Sequence, residues 1–194
     1  MGNRQIYRSE VISELLKNIE GDYIIEMGSG WGRYSIALAN NVTQDIYSLE
    51  YTESGRKITE YFSKTFHNGQ IKSYPFDYYN ADFSMVLEKT NVFVFSSYSI
   101  EQITHIKKEV FCKLLDRFNS IKGFHIEPIG WQLPEPHSEA EKRLKTKCLR
   151  VGYNTNLYSI LKELENEGKI IMTKIIRNFK FDRDDGTIIF WEKI

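Results

Sequence analysis

The stretch that constrains this chain most is Tyr23 to Arg33, YIIEMGSGWGR. An apolar, strand-like run of Tyr23, Ile24 and Ile25 meets an acid, Glu26, and then three glycines at alternate positions, Gly28, Gly30 and Gly32. A helix-like pattern, RYSIALANN, follows. Glycines open backbone angles closed to other residues and let a ligand come up against the main chain. A helix that starts just behind them turns its unpaired N–H groups toward whatever is bound. Strand, glycine turn and helix together make a loop for a nucleotide-type ligand.

A dinucleotide fold asks for G-x-G-x-x-G, with the third glycine packing helix on strand to seat a pyrophosphate. Here the order is E-x-G-x-G-x-G, with an acid ahead of the first glycine. This pattern resembles motif I of the class I S-adenosylmethionine-dependent methyltransferases. The resemblance implies a ligand without phosphate, S-adenosylmethionine, with S-adenosylhomocysteine as its product. It brings the backbone of Gly28, Ser29, Gly30 and Gly32 close to that ligand and turns Glu26 toward the ammonium end.

Later segments extend the pattern. DIYSLEY reads as a second strand ending at Glu50, twenty residues beyond Gly30. An acid at that position binds the two ribose hydroxyls in folds of this kind, which makes Glu50 a cofactor candidate together with its neighbour Tyr51. A helix is expected from Thr52. IKSYPFDYY reads as a third strand. There the resemblance sets Asp77 against the exocyclic amine of adenine and Tyr78 along the ring, while a plain turn role for Asp77 stays open.

NVFVFSSYS is a continuous apolar run of the kind buried in a parallel sheet, and Ser96 near its end joins the cofactor candidates. Methyltransferases acting on planar amide or adenine nitrogens carry an Asn/Asp-Pro-Pro-aromatic tetrad there. Ser96, Ser97 and Tyr98 stand in its place, which disfavours that substrate class. IEQITHIKKEVFCKLLDRF then predicts one amphipathic helix with Ile103, Ile106, Val110, Leu114 and Phe118 along one face. Four residues apart on such a helix, Glu101 and His105 would share a face. A carboxylate raises the basicity of an imidazole beside it, which suits a general base; a surface pair without a role is the alternative.

GFHIEPIGWQL predicts a fifth strand on which His125 and Glu127 point to one side. Buried polar groups need partners, so the two are either a satisfied structural pair or active-site groups. Glu127, nearer the strand's end, is the catalytic candidate of the two, with Trp131 shaping an acceptor pocket. QLPEPHSEAE, which includes His137, reads as a loop over that pocket. In YNTNLYSILKELENEG, Asn154 or Thr155 caps a helix that Gly168 ends. KIIMTKIIRNFKF and GTIIFWEKI read as two strands joined by the hairpin signal DRDDG. At the other end of the chain, Ser9 is expected to cap a helix with the stripe Val11, Ile12, Leu15, Leu16 and Ile19. Tyr7 and Arg8, just before it, are within reach of the site or form an ordinary surface arm.

The resemblance therefore implies an α/β, Rossmann-like fold over the whole chain. It has a seven-stranded, mostly parallel sheet in the order 3-2-1-4-5-7-6 with helices on both faces. At 194 residues the chain suits one domain with a single substantial core, residues 1–21 forming an N-terminal helix and arm and 22–194 the sheet and its helices.

Composition narrows the partners. Lys plus Arg and Asp plus Glu are both 26, for a net charge of +0, so no overall basic field exists to hold a nucleic acid. No apolar run approaches the roughly 20 residues that span a membrane, and no signal peptide is visible. Cys112 and Cys148 have no metal spacing and read as thiols of a reducing, cytoplasmic compartment. A homodimer stays open.

SYSIEQI, HIEPIGWQ and YNTNL together resemble small bacterial sugar O-methyltransferases of surface-polysaccharide or natural-product pathways. That likeness implies a small-molecule acceptor methylated on a hydroxyl, with an amine or a phosphoryl-type oxygen as alternatives. No His, Asp and Glu cluster has ligand spacing, so no metal is implied. A non-catalytic module that binds the cofactor and an oxidoreductase using the same loop for a nicotinamide are the competing classes.

Overall fold

Ile24, Ile25 and Met27 are fully buried, and the strand that carries them, β1 (Tyr23–Met27), lies in the middle of the sheet. The computed structural model describes residues 2–179 and 186–194, with side chains from Ser9 onward. β2 (Asp45–Glu50) and β4 (Asn91–Ser97) flank β1, both parallel to it. β3 (Ile71–Pro75) extends the sheet beyond β2, and β5 (Ser120–Glu127) lies beside β4. β7 (Gly186–Lys193) then pairs antiparallel with both β5 and β6 (Ile170–Phe179). The order is β3-β2-β1-β4-β5-β7-β6, the one the resemblance implies. Both strands predicted to form the hairpin are present; the DRDDG signal between them and the side chains of Tyr7 and Arg8 lie outside the described residues.

Strands buried on both faces need apolar residues at successive positions, and these supply them. On one face Ile25, Met27, Leu49, Val92 and Val94 pack with Val110 and Leu114 of α4 (Glu109–Arg117) and with Leu157, Leu161 and Leu164 of α6 (Leu157–Asn166). On the other, Ile24, Ile46, Phe93, Phe95 and Phe124 meet Val11 and Leu15 of α1 (Gly2–Asn18) and Tyr34 and Leu38 of α2 (Arg33–Ala39). Each fully buried side chain of this size contributes about 1.5–3 kcal/mol. Between β2 and β3, α3 (Glu53–Phe66) starts at Thr52, whose hydroxyl accepts the Gly55 N–H. It turns its small residues Gly55, Thr59 and Ser63 inward.

Three local readings need correction. α1 runs from Gly2, so Ser9 lies within the helix and does not cap it. A further helix, α5 (Glu139–Val151), begins inside the stretch read as a loop, at Glu139, and runs on past Cys148. Ser138 and Glu141 form a reciprocal capping box at its start, and the S-x-x-E spacing was the available signal. The largest departure is in residues 100–118. In place of one helix there is a 3-10 turn at Ile100–Gln102, a non-helical stretch, and then α4.

Competition for backbone groups explains the break. The N–H groups of Asn154 and Thr155 donate to the carbonyls of Glu101 and Thr104, at 2.9 and 3.0 Å. The Asn156 amide accepts the Ile106 N–H and donates to the Ile106 carbonyl. Those are the groups a continuous helix would need for itself. Asn154 also caps α6, its Oδ1 accepting the Leu157 N–H at 2.8 Å.

Candidate functional site

Parallel sheets bind ligands outside the carboxyl ends of their strands, at the point where the strand order reverses. Here that point is the crevice between β1 and β4. The two exits touch: a Cβ built on Gly28 would stand 2.5 Å from the Ser99 Cβ. A cavity of about 590 Å³ opens above it. Its wall is laid down in chain order by Gly28 and Gly30 after β1, Glu50 to Thr52 after β2, Phe76 to Tyr79 after β3, and Tyr98, Ser99, Gln102 and Ile103 after β4.

The glycines divide by what surrounds them. All three have positive φ, between 60° and 74°, which side chains rarely tolerate. A Cβ at Gly28 would meet Ser99, and one at Gly32 would run into Thr59 of α3. Those two are glycines because the protein itself occupies the space. A Cβ at Gly30 would find nothing within 4 Å. Its open side faces the cavity.

Glu50 is 8% exposed and turned to this loop. Its Oε2 accepts the Gly30 N–H at 2.8 Å, and Oε1 accepts from the Thr52 N–H and hydroxyl, at 2.8 and 2.6 Å. The acid thereby ties the β2 exit to the glycine turn while remaining on the wall. Asp77 caps the 3-10 turn Tyr78–Asn80 by accepting the Tyr79 N–H at 2.8 Å. Tyr78 lines the cavity from beneath; its hydroxyl lies 3.0 Å from the Met27 carbonyl and 2.9 Å from the Ser99 hydroxyl. Burial pushes its phenol well above the ordinary range. Tyr51 and Tyr79 stand exposed at the rim.

Other sequence candidates are turned away from the cavity. Glu26 is 2% exposed and accepts from both the N–H and the hydroxyl of Ser35, so it caps the start of α2 from below. Burial raises its carboxyl to about 7, against the pull of the Ser35 bonds and Arg33. The Ser29 hydroxyl accepts from Ser48 beneath the loop. Ser96 is fully buried and points between β4 and β5, where His125 and Glu127 meet it.

The catalytic candidates also come out differently. With residues 103–108 non-helical, the helix face meant to pair Glu101 with His105 does not exist, and His105 Nε2 lies 3.2 Å from the Thr155 hydroxyl instead. The Glu101 carboxylate accepts the Gln102 amide at 2.9 Å. Glu127 is fully buried under the turn and so is not a wall of an acceptor pocket. Its Oε1 accepts from Ser96 Oγ and from the N–H groups of Ser99 and Ile100, and Oε2 from the Glu101 N–H. His125, beside it in β5, stacks on Trp191, for which Gly123 leaves the room. Burial lowers its imidazole to about 3, so it is neutral and satisfies Ser96 through Nδ1.

Sequence reasoning passed over Thr52, Phe76, Tyr79, Tyr98, Ser99, Gln102 and Ile103 as wall residues. Gln102 and Ile103 were hidden by the helix reading. Tyr98 carried a weak signal, an aromatic just past a central strand. It holds φ at 51° while its N–H still donates to the Ile126 carbonyl. A non-glycine residue held there costs on the order of 1–2 kcal/mol, and such strain gathers at functional sites. Among the described residues no group of three His, Cys, Asp or Glu side chains could hold a metal ion.

No protein-family model matches the sequence, and no curated protein matches it. Solved structures do share its fold. A geranyl diphosphate methyltransferase in complex with GPP and sinefungin superposes with a TM-score of 0.66 at 9% identity, over 95% of this chain and 77% of that one. A SAM-dependent methyltransferase from Aquifex aeolicus gives 0.63 at 11% identity, over 96% and 89%. The magnesium protoporphyrin IX methyltransferase from Synechocystis PCC 6803, with bound SAH, gives 0.64 at 13% identity, over 98% and 83%. The chain has the class I methyltransferase fold.

Proposed function

We propose that the chain is an S-adenosylmethionine-dependent methyltransferase acting on a hydroxyl of a small acceptor, a sugar or related metabolite. The observation that carries this reading is the open side of Gly30 beside Glu50: a positive-φ glycine with free space over it is where a ligand comes against the backbone. Glu50 would hold the ribose hydroxyls, and Asp77, Phe76 and Tyr78 the adenine end. The glycine turn would take the amino-acid portion. Both acids on the wall, Glu50 and Asp77, favour a cationic ligand and disfavour an anionic acceptor, which weakens the phosphoryl-type alternative. Cys112 and Cys148, neither of them in a disulfide, suit a cytoplasmic setting.

When bound, the cofactor supplies an electrophilic methyl on sulfur. The chain's task is then to orient the acceptor hydroxyl in line with that methyl and to exclude water. Tyr98, Gln102 and Ile103, which line the cavity on the β4 side, would do this. Glu101 is not among the wall residues but accepts the amide of Gln102, which is, so it would orient Gln102 more than remove a proton. Glu101→Gln is therefore expected to lower single-turnover methyl transfer by less than about tenfold, below the 10²–10⁴ of a lost general base. His105→Ala should leave cofactor affinity within about twofold by titration calorimetry and the pH–rate profile unmoved.

Transfer of a labelled methyl group from S-adenosylmethionine to a panel of nucleotide sugars, free sugars, amines and phosphorylated metabolites tests the reading. Label appearing on a hydroxyl acceptor supports it. Label confined to amines or phosphoryl oxygens would overturn the acceptor class, and cofactor binding with no transfer to any acceptor would favour a binding module.

A further inference from the structure

Glu127 invites a role that no wall residue has. It is a fully buried carboxylate taking three successive backbone N–H groups, those of Ser99, Ile100 and Glu101, at 3.3, 3.1 and 3.1 Å. These belong to the turn that leaves β4, and they are donors that a 3-10 turn leaves unsatisfied at its start. The carboxylate comes from a neighbouring strand, β5, and so fixes the turn relative to the sheet. Ser96 donates to the same Oε1 at 2.8 Å and in turn accepts from His125, which fixes the carboxylate. On the far side of the turn, the Ser99 hydroxyl donates to the Met27 carbonyl at 2.8 Å, at the root of the glycine loop. One connected chain of hydrogen bonds thus runs from the interior of β5 through the β4 exit to the end of β1.

We infer that Glu127 is a positioning residue, setting the height and angle of the β4 exit turn so that Ser99 braces the glycine loop while Gln102 and Ile103 face the acceptor. It touches neither cofactor nor acceptor; it acts through Ser99 and the turn. The inference rests on the methyltransferase reading of the cavity. Cooperative networks of this kind are apportioned only by coupling measurements.

The test is a double-mutant cycle on S-adenosylhomocysteine affinity, by isothermal titration of the full chain, with hydrogen exchange at Ser99, Ile100 and Glu101. Glu127→Gln keeps shape but turns an amide donor toward donors. It is expected to weaken binding by about tenfold and to speed exchange at those three amides. Placed on Ser99→Ala, the same substitution should cost no more than about threefold, because the path through Ser99 is already cut. If Glu127→Gln does not fold, Ser96→Ala, which frees the carboxylate, should show the same coupling to Ser99 at smaller size. Losses that add independently, or exchange unchanged at the three amides, would overturn the inference while leaving the cavity's function standing. A wild-type chain that binds no S-adenosylhomocysteine would overturn both.

Discussion

Gly30→Val is expected to abolish S-adenosylhomocysteine binding, by at least about a hundredfold, while the fold persists. The valine side chain would grow into space where nothing lies within 4 Å, so it displaces ligand and not protein. Its cost to stability is that of a side chain at φ 60°, about 1–2 kcal/mol. Gly32→Val is the contrasting variant, because its Cβ would press into Thr59 of α3. It should lower thermal stability sharply and lose binding as a consequence. Circular dichroism melts and titration calorimetry on the pair separate ligand space from packing space. Normal affinity in a folded Gly30→Val protein would remove the glycine loop from the cofactor site.

Stability should fall as pH rises from about 5 to 7.5, and buried Glu26 is the reason. Burial holds its carboxyl at about 7, above the ordinary 4.5 of a glutamate, against the pull of the Ser35 bonds. Below pH 4.5 folded and unfolded chains both carry this proton, and the native preference for the neutral form counts in full. Between 4.5 and 7 the unfolded chain releases it first, so each further pH unit favours unfolding. The loss is on the order of 3 kcal/mol, or roughly 5–15 °C in melting temperature for a chain of this size. Glu26→Gln should flatten that decline. A melting temperature that climbs from pH 5 to 7.5 would mean Glu26 is ionised at little cost in the native fold.

Glu50 shows how far the sequence carried and where it stopped. Its distance from Gly30 and its place after an apolar strand were legible, and the structure puts it on the cavity wall. Its second task, accepting the Gly30 N–H, depends on a contact that no spacing encodes. Glu50→Ala should therefore weaken cofactor binding by about 1.5–3 kcal/mol, part of which persists for a ligand lacking both ribose hydroxyls.

The apolar runs marked where the strands lie, and the strand order was legible through the resemblance that the E-x-G-x-G-x-G loop carries. The break after Ile100 was not. Ile103, Ile106 and Val110 stay in helical phase, so periodicity could not register that Asn154 to Asn156, some fifty residues on, take the backbone groups the helix needs. Glu127 posed the same difficulty in another form. A carboxylate at the end of a central strand looks alike in sequence whether it faces a ligand or seals a turn.

Whether the cavity above Gly30 accepts S-adenosylmethionine is decided by isothermal titration of the wild-type chain with S-adenosylhomocysteine and with NAD. We predict one-to-one binding of S-adenosylhomocysteine in the micromolar range and no heat from NAD. Micromolar NAD binding without heat from S-adenosylhomocysteine would contradict it.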